Sequence, residues 1–337
     1  MPGELFTKAE LAALAALRAR FLDVSNAGGG YWRSEEELAL YDASFGERIG
    51  WKWDAVIAEL RARGWRPRAK HLADWGCGSG VAGRRVLGAW DGFESLAVAD
   101  VSPLAMRFAG TKARDVFPRV RVRAVAPSDE LPPGTLLLVS HVLNELNDTA
   151  RSRLMSLVRQ AAEVIWVEAG THADSRRLIA VREELRGEFS VVAPCTHAAQ
   201  CGMLAAENAR HWCHHFAQAP PETSRDARWA QFGRELGIDT RSLPCSFLVL
   251  QRDGRDTPAG CSRIIGRPRE EKGRMEVLSC GESGVEELLL QKRDVPALFK
   301  ELRKGRASAL HRWTRDGRRI AKAAPPGSGG EEMTGDE

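Results

Sequence analysis

A glycine turn near residue 76 constrains the fold of this chain more than any other feature. Gly76, Gly78 and Gly80 lie between a short apolar run, 71–75, and a helix-like run, 81–87. Glycine is needed where the backbone turns tightly and allows a ligand to approach closely. Ligands of open α/β sheets bind at the carboxyl ends of the strands. The turn therefore predicts an α/β fold with a cofactor site after its first strand.

Short apolar runs alternate with helix-like runs through the middle of the chain. Helix-like segments separate the first five of seven runs, which is typical of a parallel sheet covered by helices on both faces. The seven runs, with a hairpin-like last pair, predict the doubly wound sheet of a class I (Rossmann-like) methyltransferase. The runs are 71–75, 95–100, 121–127, 135–140, 164–168, 189–194 and 246–251.

Changes of pattern divide the chain into four parts. Helical spacing precedes the sheet, and a segment containing Cys, His and Trp separates the last two strands. A hairpin (275–280 and 285–292) and a basic segment follow, and a Gly/Pro/acid-rich end predicts disorder. The predicted parts are an N-terminal helical region (1–66), a methyltransferase-like core (67–255) with a Cys-rich insertion (195–245), a C-terminal β-hairpin and basic extension (256–324), and a disordered tail (325–337).

Acidic and hydroxyl side chains after successive strands indicate which cofactor the turn holds. Asp74 ends the first strand, and a carboxylate there suits the cationic end of S-adenosylmethionine better than a pyrophosphate. Asp100 follows the second strand, where an acid accepts hydrogen bonds from ribose hydroxyls. NAD is less favoured because the G-x-G-x-x-G spacing is not kept. The predicted cofactor-binding residues are Asp74, Gly76, Gly78, Gly80, Asp100, Asp129 and Ser140.

His141 is the candidate catalytic residue, because it follows the fourth strand and would face the methyl end of the cofactor. It would act as a base, and a structural, hydrogen-bonding histidine is the alternative. The Asn/Asp-Pro-Pro-aromatic turn of many base-amino methyltransferases is absent at 140–143. Pro194-Cys195 matches the dipeptide of cytosine-C5 enzymes, but a metal-ligand role explains Cys195 better. Whether methyl transfer occurs stays open at this level.

Seven cysteines, without a secretory pattern, argue against a disulfide framework. Thiolates suit zinc or an iron–sulfur cluster, and the spacing alone leaves metal ligation and free structural thiols both open. Cys245 and Cys261 are substitute ligands on chemistry alone. The four candidate ligands are Cys195, Cys201, Cys213 and Cys280.

The charge is concentrated near the C-terminus. The whole chain carries +4, whereas 300–322 holds nine Lys or Arg against two acids. Such a segment suits a polyanion, with His311 and Trp313 available to stack on bases; a solvated helix and tail is the alternative.

No apolar run approaches the roughly 20 residues of a membrane span. We therefore expect a cytoplasmic monomer without a membrane partner.

Four further motifs follow the glycine turn in order: Ser140-His-Val-Leu-Asn-Glu-Leu146, Val167-Glu-Ala-Gly170, Ala193-Pro-Cys-Thr-His197 and Trp212-Cys-His-His-Phe216. Together they resemble the methyltransferase-like proteins of the mitochondrial small ribosomal subunit and their bacterial relatives, over about 30–295. The resemblance implies an assembly factor that binds small-subunit ribosomal RNA or a pre-ribosomal particle. It also implies an S-adenosylmethionine fold and a [4Fe–4S] cluster held by four cysteines.

The resemblance assigns the cluster ligands residue by residue. Cys195, Cys201 and Cys213 take the first three positions, and Cys280, on a strand after a basic stretch, takes the fourth. The chain departs from the family pattern where Gly202, rather than proline, follows Cys201. The gap before Cys213 is also longer than usual, so the loop geometry differs from that of the family.

These observations predict an S-adenosylmethionine-binding, iron–sulfur-containing, methyltransferase-like protein that acts on or binds small-subunit ribosomal RNA during ribosome assembly. A non-catalytic RNA-binding assembly factor, which uses the fold as a platform, is the alternative. A small-molecule methyltransferase is less favoured because of the basic segment and the cysteines. Zinc is the alternative metal. The target nucleotide and the role of the cluster are not encoded in any motif.

Overall fold

The computed structural model describes residues 4–22, 32–254 and 260–326. The chain forms two compact units. The core unit consists of Met1–Ala193 and His214–Gly254, and the C-terminal unit consists of Pro194–Cys213 and Arg255–Glu337. Most of the predicted disordered tail, from 327 onwards, lies outside the described residues.

The core unit contains a mixed sheet whose strands match the seven apolar runs. Its strands are β1 (His71–Trp75), β2 (Ser95–Ala99), β3 (Arg121–Val125), β4 (Thr135–Ser140), β5 (Glu163–Ala169), β6 (Ser190–Ala193), β7 (His215–Ala217) and β8 (Leu243–Gln251). The order is β3-β2-β1-β4-β5-β8-β6, with β8 antiparallel to β5 and β6. This order is the class I methyltransferase arrangement, so the predicted fold class is confirmed. The short β7 is an addition that pairs with β8.

Helices cover both faces of this sheet. They are α1 (Lys8–Leu22), α2 (Glu35–Tyr41), α3 (Glu47–Ala62), α4 (Val81–Ala89), α5 (Pro103–Val116), α6 (Asp148–Gln160), α7 (His172–Leu185) and α8 (Ala227–Leu236). A π-helical turn, Asp42–Gly46, joins α2 to α3. Six of these helices begin after a side chain that accepts a hydrogen bond from a first-turn amide. The capping residues are Thr7, Ser34, Ser102, Asn147, Thr171 and Asp226.

Burial explains why the central strands are apolar without interruption. Leu136–Val139 of β4 and Val164–Val167 of β5 are almost completely buried. A parallel strand with helices on both faces has no solvent side, so its pattern does not alternate. Trp53 and Leu60 of α3 pack into the same core. The helix that precedes the sheet therefore belongs to the structure that positions β1 and β4.

The C-terminal unit contains a closed five-stranded barrel. Its elements are β9 (Ser262–Glu271), β10 (Arg274–Gly281), β11 (Gly284–Gln291), α9 (Pro296–Arg303), β12 (Leu310–Asp316) and β13 (Arg319–Ala324). The strand order around the barrel is β9-β10-β11-β13-β12, and β11 and β13 run parallel. A Greek-key barrel of this order, with a helix between its third and fourth strands, is an OB-fold.

The predicted hairpin corresponds to β10 and β11, in register from Arg274↔Gln291 to Gly281↔Gly284. The basic segment after it forms α9, β12 and β13, which complete the barrel. Its apolar residues make the barrel core together with those of β9 and the hairpin: Ile264, Met275, Val277, Leu288, Leu290, Leu298, Phe299 and Ile320. In the described ranges, no helix combines the length and apolarity that a bilayer crossing needs.

Candidate functional site

A cavity of about 480 Å³ lies in the core unit at the carboxyl ends of β1, β2 and β4. Its size is within the range of small-molecule sites. The glycine turn forms its floor, residues after β4 form one wall, and aromatic side chains from the N-terminal helices form another. Its principal lining residues are Phe21, Trp32, Tyr41, 75–79, Asp100, Ser128, 140–142, Glu145, Asn147 and Arg153.

The three glycines of the turn all have left-handed backbone angles, with φ of 67° at Gly76, 50° at Gly78 and 77° at Gly80. A Cβ at Gly76 would lie 2.7 Å from Val142 Cγ1, and one at Gly80 would lie 2.7 Å from Ala109 Cβ. A Cβ at Gly78 would meet only Trp32 at 3.9 Å. Gly76 and Gly80 are therefore needed for packing as well as conformation, whereas Gly78 leaves its space open beside the cavity.

Asp100 ties this turn to the end of β2. Its Oδ2 accepts a hydrogen bond from the Gly78 amide at 2.9 Å, and its Oδ1 accepts one from Ser102 at 2.9 Å. Burial raises the pKa of this carboxyl, while the amide donors oppose the rise. The side chain lines the cavity, as the sequence predicted.

Asp74 lies behind the turn and does not line the cavity. It is 1% exposed, and its Oδ2 accepts a hydrogen bond from the Gly83 amide of α4 at 3.0 Å. Burial raises its pKa to about 7. The structure therefore places this carboxyl between strand and helix, where its charge acts on the turn and not directly on a ligand.

The other predicted cofactor residues also divide into those that line the cavity and those that do not. Ser140 lines the cavity, but Gly80 is the cap of α4 and Asp129 is exposed. Asp129 Oδ2 accepts a hydrogen bond from Ala126 within its own turn, and Ser128 faces the cavity in its place. Four of the seven predicted positions thus line the cavity: Gly76, Gly78, Asp100 and Ser140.

His141 lies at the wall formed after β4, in a strained backbone conformation. Its φ is 56°, the only positive value for a non-glycine in the described part of the chain. Its Nε2 is 3.1 Å from Lys52 Nζ, and its Nδ1 is 3.2 Å from Ser140 Oγ. Burial, and then the Lys52 charge, hold its pKa well below the ordinary value. The ring is neutral at pH 7 and both nitrogens have partners.

A buried carboxyl, Glu168, holds the turn that contains His141. Its Oε1 accepts hydrogen bonds from the Val142 and Leu143 amides at 3.1 and 3.2 Å, and from Trp166 Nε1 at 2.7 Å. Burial raises its pKa to about 7. These bonds hold the two residues that follow His141, and so help to maintain its left-handed backbone conformation.

Sequence reasoning missed Lys52 and the aromatic wall. Lys52 lies between Trp51 and Trp53 in α3, and burial lowers its pKa. A lysine between two buried tryptophans was the available signal. The wall consists of Phe21, Trp32 and Tyr41, whose ring centroids are 4.9 to 5.6 Å apart. Its residues come from separate segments, so no local pattern connects them.

The four candidate metal ligands all belong to the C-terminal unit. Burial raises the pKa of the Cys213 thiol, and the charges of the other three cysteines raise it further. Cys280 Sγ lies 3.5 Å from His197 Nε2. Within the described ranges, no three Cys, His, Asp or Glu side chains form a set arranged to hold a metal ion. Cys245 belongs to β8 of the core unit.

The sheet order and the cavity after its first strands define the class, a methyltransferase-like protein of the class I fold. Residues 52–311 match the family described as the mitochondrial small ribosomal subunit protein Rsm22. Because the match spans well over half of the chain, the chain belongs to this family, and the predicted resemblance is confirmed. No curated protein sequence matches the chain.

Solved structures of methyltransferases are similar to the chain at low identity. Magnesium protoporphyrin IX methyltransferase from Synechocystis, with bound S-adenosylmethionine, is 14% identical with a TM-score of 0.38, covering 74% of this chain and 100% of that one. A candidate RNA methyltransferase from Pyrococcus horikoshii is 11% identical with a TM-score of 0.38, covering 60% and 83%. These similarities are too distant to transfer a residue role.

The buried carboxyl of Asp74 makes stability depend on pH. Its folded pKa of about 7 exceeds the unfolded value of 3.8, so between these values the unfolded state releases a proton that the folded state keeps. Its contribution therefore falls as pH rises, by about 1.4 kcal/mol per pH unit. We expect Asp74→Asn to gain stability relative to the parent between pH 5 and about 7, measured by urea denaturation. A pH-independent difference, equal to that of the exposed control Asp129→Asn, would contradict this assignment.

Proposed function

We propose that this protein binds S-adenosylmethionine and a [4Fe–4S] cluster, and that it acts on or binds small-subunit ribosomal RNA during ribosome assembly. The observation that carries the proposal is the family match over 52–311. That range includes the glycine turn, the four cysteines and most of the barrel. The proposed partner is therefore small-subunit RNA, free or in a pre-ribosomal particle.

The cavity supports S-adenosylmethionine as the cofactor. Asp100 lies where ribose hydroxyls are bound in such folds, and a carboxylate has lone pairs beyond those used by two amides. The aromatic wall and Glu145 suit a sulfonium cation, since ring faces and carboxylates attract positive charge. Asp74 contributes indirectly, through the Gly83 amide and α4.

Calorimetry with S-adenosylmethionine tests the cofactor site. Gly78→Arg should abolish binding, because the side chain would enter the cavity beside Trp32. Asp100→Ala should weaken binding by about tenfold or more, since hydrogen bonds to a charged group contribute about 1.5–3 kcal/mol. The control is Asp129→Ala, whose carboxylate is exposed outside the cavity. Parent-like affinity of a folded Asp100→Ala variant would show that the cofactor site is misplaced.

The C-terminal unit supports a cluster bound by Cys195, Cys201, Cys213 and Cys280. Four cysteine thiolates are the ligand set of a [4Fe–4S] cluster, and the charges of the other three act on Cys213. In such a cluster each cysteine would bind a different iron, so the four cysteine sulfurs would lie farther apart than the ligands of a single ion. A single-ion geometry is therefore not required. Arg263, 3% exposed and close enough to lower the pKa of Cys213, offsets thiolate charge.

Anaerobic purification tests the cluster directly. We expect brown protein with about four iron and four sulfide per chain. Cys280→Ser should lower both contents and bleach the visible absorption. Cys261→Ser is the matched control, because Cys261 is a buried cysteine of the same unit and, like Cys245, a substitute candidate for the fourth ligand. Stoichiometric zinc without sulfide would replace the cluster by the alternative metal.

The surroundings of His141 favour a second candidate, a non-catalytic assembly factor. A base must accept a proton, and the low pKa and the proximity of Lys52 both oppose this. His141 as the base of a methyl transfer therefore requires that Lys52 move away. Catalysis requires that His141 accept a proton, whereas a non-catalytic assembly factor requires only that His141 keep its hydrogen bonds.

Transfer of labelled methyl from S-adenosylmethionine to immature small-subunit particles, with cluster-replete protein, separates the two candidates. If His141 is the base, His141→Asn should lose transfer while it keeps cofactor affinity; asparagine tolerates a left-handed φ better than most residues. If the parent protein binds cofactor and particle but transfers no methyl group, the platform role stands. Transfer by His141→Asn at the parent rate would exclude His141 as the base.

A further inference from the structure

The cations of segment 300–322 fall into two groups in the barrel. Four of the nine form ion pairs with acids of β9, β11 and the turn after β11: Arg303–Glu270, Arg315–Glu286, Arg318–Glu287 and Arg319–Asp294. The other five form no ion pair with any residue that the structure describes. They are Lys300, Lys304, Arg306, Arg312 and Lys322, named here the cationic face.

The usual nucleic-acid surface of an OB-fold is the outer face of its second and third strands, with the loops beside them. Here that surface is β10 and β11, where Met275, Val277, Leu288 and Leu290 point into the core. Glu276 and Glu287 alternate with these residues and point outward, and the half-exposed Glu286 lies near the start of β11. All three already bind arginines of this unit: Arg269–Glu276, Arg315–Glu286, Arg318–Glu287 and Arg210–Glu287. The arginines on these strands are therefore already paired with carboxylates of the same unit, which makes them less available to a polyanion.

The cationic face lies elsewhere on the barrel. Residues 304–309 lead from the end of α9 directly into β12, where Arg312 is the third residue of the strand. In the β12–β13 register, Arg312 pairs with Ala324 and Thr314 with Lys322, so the two cations are diagonal neighbours. The positive charge of Lys300, in the last turn of α9, interacts favourably with the helix dipole. Arg312 and Lys322 lie in strands, so their charges do not stabilise a helix in this way.

The two aromatic rings of this segment already have partners within the barrel. The rings of His311 and Trp313 stack on each other, with centroids 4.7 Å apart and an interplanar angle of 20°. His311 is 8% exposed, and Trp313 Nε1 donates to Ser279 Oγ at 3.0 Å. These contacts do not favour the predicted stacking of the two rings on nucleic-acid bases. What the surface offers is positive charge.

We infer that the cationic face, and not the β10–β11 surface of the OB barrel, binds the phosphate backbone of RNA without reading its bases. The inference rests on the proposed association with ribosomal RNA. Binding to phosphates sets affinity and its salt dependence but carries no sequence information. Affinity at this surface is consequently indifferent to base identity.

Paired substitutions in one hairpin test the inference. Arg312→Gln with Lys322→Gln removes two cations from the cationic face, and Arg315→Gln with Arg318→Gln removes two that are already paired with Glu286 and Glu287. Affinity of the full-length protein for short polyuridine and polyadenosine strands is measured by fluorescence anisotropy between about 50 and 200 mM salt. Circular dichroism melting confirms that each variant folds.

We expect the first pair to weaken binding on the order of tenfold and to reduce the salt slope by about 0.7 for each phosphate that the variant no longer neutralises. The second pair should change affinity by less than about twofold. The variant in which Lys300, Lys304 and Arg306 are all changed to Gln should also lose affinity and salt dependence, as the first pair does. The variants should rank in the same order of affinity on polyuridine and on polyadenosine. Greater sensitivity to Arg315/Arg318, equal sensitivity of the two pairs, or no effect of either pair overturns the inference. No RNA binding by the parent protein overturns instead the proposed function on which it rests.

Discussion

The hydrogen bond from the Gly78 amide to Asp100 is the constraint on which the core unit depends. It joins the turn after β1 to the end of β2, and the turn can donate it only because three glycines adopt left-handed angles. The same turn begins α4, whose Gly83 amide binds the buried Asp74. Two carboxyls, one facing the cavity and one behind it, thus hold the backbone between them. The cavity is a consequence of this arrangement.

The core sheet could be predicted because its information is local. Each buried strand is an apolar run, and glycine or proline residues separate the runs. The order of these runs along the chain was therefore sufficient to recognise the class I methyltransferase fold. Side-chain direction was not local information. Asp74 and Asp129 carry the right chemistry at the right strand ends, yet backbone amides of Gly83 and Ala126 hold both away from the cavity. Lys52 meets His141 only through the packing of α3 against the sheet.

The barrel could not be predicted from the sequence, for a different reason. Its strands β12 and β13 contain few apolar residues, since the small barrel needs only alternate positions for its core. Arginines fill the remaining positions and form pairs with acids from other strands and turns, such as Arg319 with Asp294. In the sequence the acids and their partners are separated, so the segment has the composition of a basic extension. Its net charge therefore overstated the charge available to a partner.

The C-terminal unit is discontinuous in the chain, because Pro194–Cys213 belongs to it while β7 and β8 return to the core unit. This has a consequence for synthesis on the ribosome. All residues of the core unit have been made once Gly254 is added, so its sheet can close before the barrel exists. Cys195, Cys201 and Cys213, in contrast, must wait for Cys280, which is translated after the whole core unit. The four cysteines can therefore come together only after the core sheet has been synthesised.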